Sequence, residues 1–175
     1  IQAAALLAEY LGNNLSKVAN ELEKLMLSIP ATREITVDDV QANIGISKEY
    51  NVFELQTAIA RRDVLKANQI INYFADNPKA NPMVLVLGTL NNYFTKILRY
   101  HYTADKSQHV LAKELGVHPF FVKEYELAGK AYSKEKAFRV ISHLRESDLK
   151  TKGVDATGNT SDGELMKELV FKIMH

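Results

Sequence analysis

Apolar residues recur three and four apart along almost the whole chain, and nowhere do apolar and polar residues alternate over the length of a strand. That periodicity predicts an all-α fold. Residues 2–11 read as a short first helix, stopped by Gly12-Asn13-Asn14, residue types that tolerate the left-handed conformation at helix ends. A second helix from Leu15 gathers Leu15, Val18, Ala19, Leu22, Leu25, Met26 and Ile29 on one face and leaves Lys17, Asn20, Glu21, Glu23 and Lys24 on the other. Beyond Pro30, Thr36 followed three residues later by Asp39 has the form of a capping box and starts a short helix that turns Val37, Val40 and Ile44 inward and ends at Gly45. The polar run Ser47-Lys48-Glu49 then separates this three-helix unit, residues 1–47, from a second unit, residues 48–175.

The second unit opens with a helix carrying Val52, Leu55 and Ile59 and a neighbour carrying Val64, Ala67, Ile70, Ile71 and Phe74, joined by the short polar link Arg61-Arg62-Asp63. Asn81 is placed to cap a long helix with Pro82 at its first position, running to about Tyr102. Its opening, Met83 to Leu87, is apolar on every side, which suits the centre of a bundle or contact with another subunit. Four more helices follow: 107–115 ending at Gly116, 119–131, 134–150 capped by Ser133, and 162–174 capped by Thr160 or Ser161. The stretch Gly153 to Gly163 reads as a polar loop.

Composition narrows the chemistry. The chain has no cysteine, so disulfides and thiolate metal sites are excluded, and a reducing, cytoplasmic setting is expected. Net charge is only +1, so contact with nucleic acid has to come from a local patch. No apolar run approaches the roughly 18 residues of a membrane span. Ile1 enters a helix already under way with no capping residue ahead, which leads us to expect chain upstream.

No glycine sits in a phosphate-binding loop, and no nucleophile elbow is present, so neither a catalytic site nor a cofactor is expected. His101, His109 and His118 are spaced too widely for a helical zinc site and read as surface or helix-start residues. The rival with most local support is a helix-turn-helix DNA-binding regulator over residues 107–131, with Gly116 in the turn. Its would-be recognition helix, starting Pro119-Phe120-Phe121-Val122-Lys123-Glu124, is aromatic and acidic where a groove reader offers Arg, Lys, Asn or Gln. Lys17 and Lys24, two turns apart, are candidates for DNA-backbone contact or simply part of a solvated face.

The segments Tyr10-Leu11-Gly12-Asn13-Asn14-Leu15, Asn20-Glu21-Leu22-Glu23-Lys24-Leu25, Ile35 to Val40, Tyr50-Asn51-Val52-Phe53-Glu54-Leu55, Ala58 to Asp63 and Leu115 to Phe120 come in an order that resembles the delta subunit of the bacterial DNA polymerase III clamp loader. The resemblance implies an AAA+-type lid at residues 1–47 and a helical collar at 48–175, following an N-terminal domain that this chain lacks. It further implies a non-catalytic subunit of the polymerase holoenzyme. The collar would pack against the gamma or tau and delta-prime subunits, the absent domain would hold the beta sliding clamp, and primer-template DNA would be met by the assembled complex. Active AAA+ relatives carry an arginine on the lid's second helix. Here Ser16, or Leu15 on a shifted alignment, stands there, which removes a guanidinium from any nucleotide phosphate. For the subunit interface the candidates are Tyr93, Phe94 and Ile97 of the long helix and Leu169 and Ile173 of the last, residues that an intramolecular core explains equally well.

Overall fold

The computed structural model describes residues 2–11, 15–30, 32–43, 50–154 and 160–175. All regular structure among them is helical. The chain divides into two compact units, Ile1–Glu49 and Tyr50–His175. The expected stop at Gly12 to Asn14, the end of the third helix at Ile44 and Gly45, the polar run Ser47 to Glu49 and residues 155–159 of the loop before the last helix lie outside the described residues.

In the first unit, α1 (Gln2–Leu11), α2 (Leu15–Ser28) and α3 (Val37–Asn43) close around Leu6, Leu7, Leu25, Ile29 and Val40. The capping box forms. The Thr36 N–H donates to the Asp39 carboxylate at 2.9 Å, and the Asp39 N–H returns to Thr36 Oγ1 at 3.2 Å. Arg33 adds a two-pronged bond to the same carboxylate at 2.5 and 2.8 Å. Together these hold the Asp39 carboxyl far below the usual carboxylate range, the Arg33 bond contributing most. The inward face predicted for α2 is too wide. Leu25 and Ile29 are buried and Val18 and Leu22 half-buried, but Leu15, Ala19 and Met26 are exposed. Periodicity fixes which residues share a face, not how wide a strip of it is covered, and here the covered strip runs through Val18, Leu22, Leu25 and Ile29.

The second unit is built around α6 (Met83–Tyr102), which packs on α4 (Val52–Ala60), α7 (Gln108–Leu115), α8 (Val122–Ala131), α9 (Lys134–Thr151) and α10 (Asp162–Met174). α5 (Val64–Asp76) lies against α4 and α10. Caps account for most of the boundaries. Asn51 Oδ1 accepts from the N–H groups of Phe53 and Glu54, Asp63 from Lys66, and Ser133 from Lys136. Ser161 and Glu164 make a reciprocal box at the start of α10, which settles the choice between Thr160 and Ser161. Gly116, at φ 62°, closes α7 in the left-handed conformation, where a Cβ would be strained. The helix predicted over 119–131 opens as a 3-10 turn, Pro119–Phe121, before widening into α8.

The expected Asn81 cap is corrected. Pro82 takes the cap position of α6, its carbonyl accepting from Leu85 and Val86, while the Asn81 amide donates to the Asn77 carbonyl at 3.2 Å. Nor is the start of α6 surrounded. Met83, Val86 and Leu87 are buried, but Val84 and Leu85 are each 64% exposed.

Aromatic rings and one close approach set the interior. Phe94 stands edge-on to Tyr132, ring centres 5.2 Å apart, and Tyr93 contacts both Phe94 and Tyr125. Burial pushes the Tyr93 hydroxyl far above its ordinary pKa. The α6–α8 contact needs Gly129, since a Cβ there would lie 2.4 Å from the Tyr100 ring, whereas a Cβ at Gly88 would meet open space.

The same substitution should therefore act with opposite signs at the two glycines. Gly129→Ala overpacks the contact and should cost about 1–3 kcal/mol, while Gly88→Ala in mid-helix should gain about 0.5–1 kcal/mol. Urea unfolding of both variants measures this. Equal shifts in the same direction would contradict the packing described.

Candidate subunit interface

The five side chains expected at an interface or in a core are all core residues: Tyr93, Phe94, Ile97, Leu169 and Ile173 are at most 4% exposed. They sit on the inward stripes of α6 and α10, where 3.6-residue periodicity has to bury them, and so show a partner no surface. The same two helices do leave apolar groups outside. Val84 and Leu85 stand on the opening turn of α6, and Phe171 on α10 is 61% exposed. Leu65 on the first turn of α5 is exposed as well. Sequence reasoning had the Met83–Leu87 stretch in hand. The missing signal was that two of its five positions fall outside the 3.6-residue stripe set by Met83, Val86, Leu87 and Leu90.

Charges on α9 and α10 form a cross-helix lattice. Lys150 Nζ lies 3.3 Å from both Glu146 and Glu168, and Lys172 Nζ lies 2.8 Å from Glu168 and 3.4 Å from Glu146. The Lys150 bond is the largest cause holding the Glu146 carboxyl below its ordinary pKa, and the Lys172 bond does the same for Glu168. Lys172 is correspondingly raised, by Glu168 first.

The other candidates sort plainly. Lys24 is exposed and donates to Glu21 at 2.8 Å; Glu21, expected on the outer face of α2, is largely covered, and the Lys17 side chain lies outside the described residues. His101 donates from Nε2 to the Tyr132 carbonyl at 2.7 Å, His118 Nδ1 accepts from the Phe120 N–H, and His109 is exposed. No three His, Cys, Asp or Glu side chains converge as a metal site among the described residues. α8 turns Val122, Tyr125 and Ala128 inward and shows Lys123, Glu124, Leu127 and Lys130 outside, a face of mixed sign and apolar content that does not favour a groove reader. None of the described helices is long and apolar enough to cross a membrane.

Fold and surface together define an all-helical protein of two compact units, with apolar side chains standing outside on α5, α6 and α10. Residues 49–172 match the family described as DNA polymerase III delta subunit, C-terminal domain, and the chain belongs to that family. It is 32% identical over 171 residues to DNA polymerase III subunit delta of Bacillus subtilis (strain 168), covering 96% of this chain and 47% of that protein. A solved structure, the Bacillus subtilis DNA clamp loader delta protein, superposes with a TM-score of 0.67 at 30% identity, over 99% of this chain and 50% of the other. The chain thus spans about half the length of the relatives it matches.

The α9–α10 lattice gives a pH-dependent contribution whose sign is fixed. Carboxyls with lowered folded-state pKa stabilise fully above their unfolded value of about 4.3 and lose that contribution as pH falls below it. Glu146 and Glu168 are 48% and 42% exposed, so screening keeps the contribution of either below about 1 kcal/mol. Glu168→Gln should be less stable than wild type at pH 7, with the gap closing below about pH 4. Urea midpoints across pH measure it, and a gap that persists at pH 3 would refute the electrostatic cause.

Proposed function

We propose that this chain is the ring-assembling part of a non-catalytic clamp-loader delta subunit. Residues 48–175 act as the collar that holds delta among the gamma or tau and delta-prime subunits. Residues 1–47 act as the lid that couples their positions to a clamp-binding domain upstream, and primer-template DNA is met by the assembled ring. The observation that carries the reading is the start of α6, where Val84 and Leu85 stand exposed on the helix that otherwise forms the centre of the second unit. Two large aliphatic side chains on neighbouring positions of a rigid helix are suited to filling a groove on a partner, where burial of each contributes on the order of 1.5–3 kcal/mol. Tyr93, Phe94 and Ile97 serve from behind, keeping α6 straight and fixed while its first turns meet the partner.

Co-elution of this chain with the matching gamma or tau and delta-prime subunits on a sizing column tests the reading. Wild type should co-elute. Val84→Asp with Leu85→Asp should keep its melting temperature, both sites being solvent-exposed, and lose at least about thirtyfold in affinity, as removal of two modest hot spots would give. Failure of wild type to associate with either subunit would discard the assignment.

A further inference from the structure

At the end of the second unit where α4, α8 and α10 finish, a cavity of about 70 Å³ opens beside Tyr132 and Ile173. One water needs roughly 10–15 Å³, so there is room for a compact anion of several atoms. Arg62, Lys136, Arg139, His143, Lys172 and His175 line it, and no Asp or Glu side chain does. The carboxylates that stand nearby are already engaged: Lys172 is matched by Glu146 and Glu168, and His143 Nδ1 lies 3.7 Å from Glu146. Arg62, Lys136 and Arg139 reach no carboxylate within salt-bridge distance among the described residues.

Arg62 occupies a position that its backbone would give to another residue. α4 ends in a Schellman motif, in which the Arg62 N–H donates to the Ile59 carbonyl at 3.0 Å and the Asp63 N–H to the Ala58 carbonyl at 2.9 Å. The motif holds Arg62 at φ 57°, where glycine is the ordinary occupant because a Cβ is strained there. No other described non-glycine residue has positive φ. Arginine at this point sets its guanidinium 5.5 Å over the Tyr132 ring, with Nη1 donating to the Ile173 carbonyl at 3.4 Å. The fork has five N–H donors, so these contacts leave capacity for a further acceptor.

α9 supplies the other side. Lys136, Arg139 and His143 are spaced i, i+3 and i+7 on one of its faces, and Lys136 stands in its first turn, where the helix end adds partial positive charge. Charge and shape then select the ligand. A carboxylate brings a single charge on two oxygens, which one arginine fork satisfies, leaving the other cations unmatched. A phosphodiester also brings a single charge, with an ester on either side. A terminal phosphate group carries about two charges and three acceptor oxygens. Two such groups joined, as in inorganic diphosphate, come nearest to balancing Arg62, Lys136 and Arg139.

We propose that this cavity binds a free, compact anion bearing terminal phosphate groups, matched by charge to inorganic diphosphate, on Arg62, Lys136 and Arg139. The assembly reading above neither requires nor supplies such a site, so the two stand or fall separately.

Isothermal titration calorimetry of the 175-residue chain at fixed ionic strength, with sodium diphosphate, orthophosphate and dimethyl phosphate in turn, provides the test. Diphosphate should bind saturably, orthophosphate more weakly, and dimethyl phosphate, a diester, without measurable heat. Arg62→Gly frees the backbone of strain and removes the guanidinium. It should raise the diphosphate Kd by about tenfold or more, as loss of a charge-assisted hydrogen bond gives, without lowering the melting temperature. Lys136→Gln with Arg139→Gln should weaken binding at least as far. Lys123→Gln with Lys130→Gln on α8, the same change of charge elsewhere, should leave Kd within about twofold. The four α8 and α9 positions are solvent-exposed, and melting temperatures confirm that the variants are folded. Equal weakening by the α8 and α9 pairs would mean a nonspecific charge effect and overturn the site. So would no saturable binding of diphosphate by wild type, orthophosphate binding as tightly as diphosphate, or dimethyl phosphate binding as tightly as orthophosphate.

Discussion

One buried tyrosine fixes how the second unit closes. Tyr132 caps the C-terminus of α8, and its hydroxyl lies 3.3 Å from the Ile59 carbonyl near the end of α4 and 3.4 Å from the Ile173 carbonyl near the end of α10. Its own carbonyl accepts from His101 near the end of α6, and its ring meets Phe94 edge-on. A hydroxyl in an apolar interior needs a partner, and here the carbonyls within reach lie at helix ends, where Ile59 also accepts from the Arg62 N–H and Ile173 from Arg62 Nη1. The single O–H proton is shared between the two carbonyls, so one side chain ties the ends of α4 and α10 to the end of α8. α4, α6, α8 and α10 are held in register at this end by hydrogen bonds in addition to apolar burial. The desolvated hydroxyl is pushed above its ordinary pKa, with Arg62 beside it pulling the other way, so it stays a neutral donor.

The rest of the interior follows from helix periodicity, which is why so much of it was legible in the sequence. The two caps that depend on a reciprocal pair, Thr36 with Asp39 and Ser161 with Glu164, are where the residue spacing places them, because the box is a local interaction needing nothing beyond one turn of chain. The Arg61 to Asp63 link does form a tight connection between α4 and α5. Misreadings arose where the outcome depended on what lay opposite. Leu15 and Met26 fit the stripe of α2 yet stand exposed at its edge, because periodicity alone does not say how much of a face is covered. Asn81 has the right side chain for a cap, and its amide instead bonds the Asn77 carbonyl just past the end of α5.

For the candidate surfaces the asymmetry is sharper. Aromatic and aliphatic residues with high burial propensity, such as Phe94 and Ile173, attract attention as interface anchors in a sequence, yet the same propensity puts them in the core of the chain that carries them. An interface is visible only in the apolar residues left over once the stripes are filled, here Val84 and Leu85. The cationic cavity was not legible at all. Arg62, Lys136, Lys172 and His175 come from separated parts of the chain, and the sequence offers no cue that Arg62 adopts a left-handed backbone.

The two surfaces are compatible because α6 keeps them apart. Val84 and Leu85 stand at its first turn and His101, which holds Tyr132, at its last, 16 residues or about 24 Å away along the axis. The polarity of the helices also explains how the cationic end tolerates its own repulsion. α4, α6, α8 and α10 all finish near Tyr132, and each C-terminus carries a partial negative charge of about half an electron. Those dipoles lower the cost of gathering the cations that Glu146 and Glu168 do not already pair. Glu146 and Glu168 pair with Lys172, and Glu146 lies beside His143, whereas Arg62, Lys136 and Arg139 have no carboxylate within salt-bridge distance among the described residues. Helix ends therefore stabilise the remaining cations, Arg62 first among them, without neutralising them.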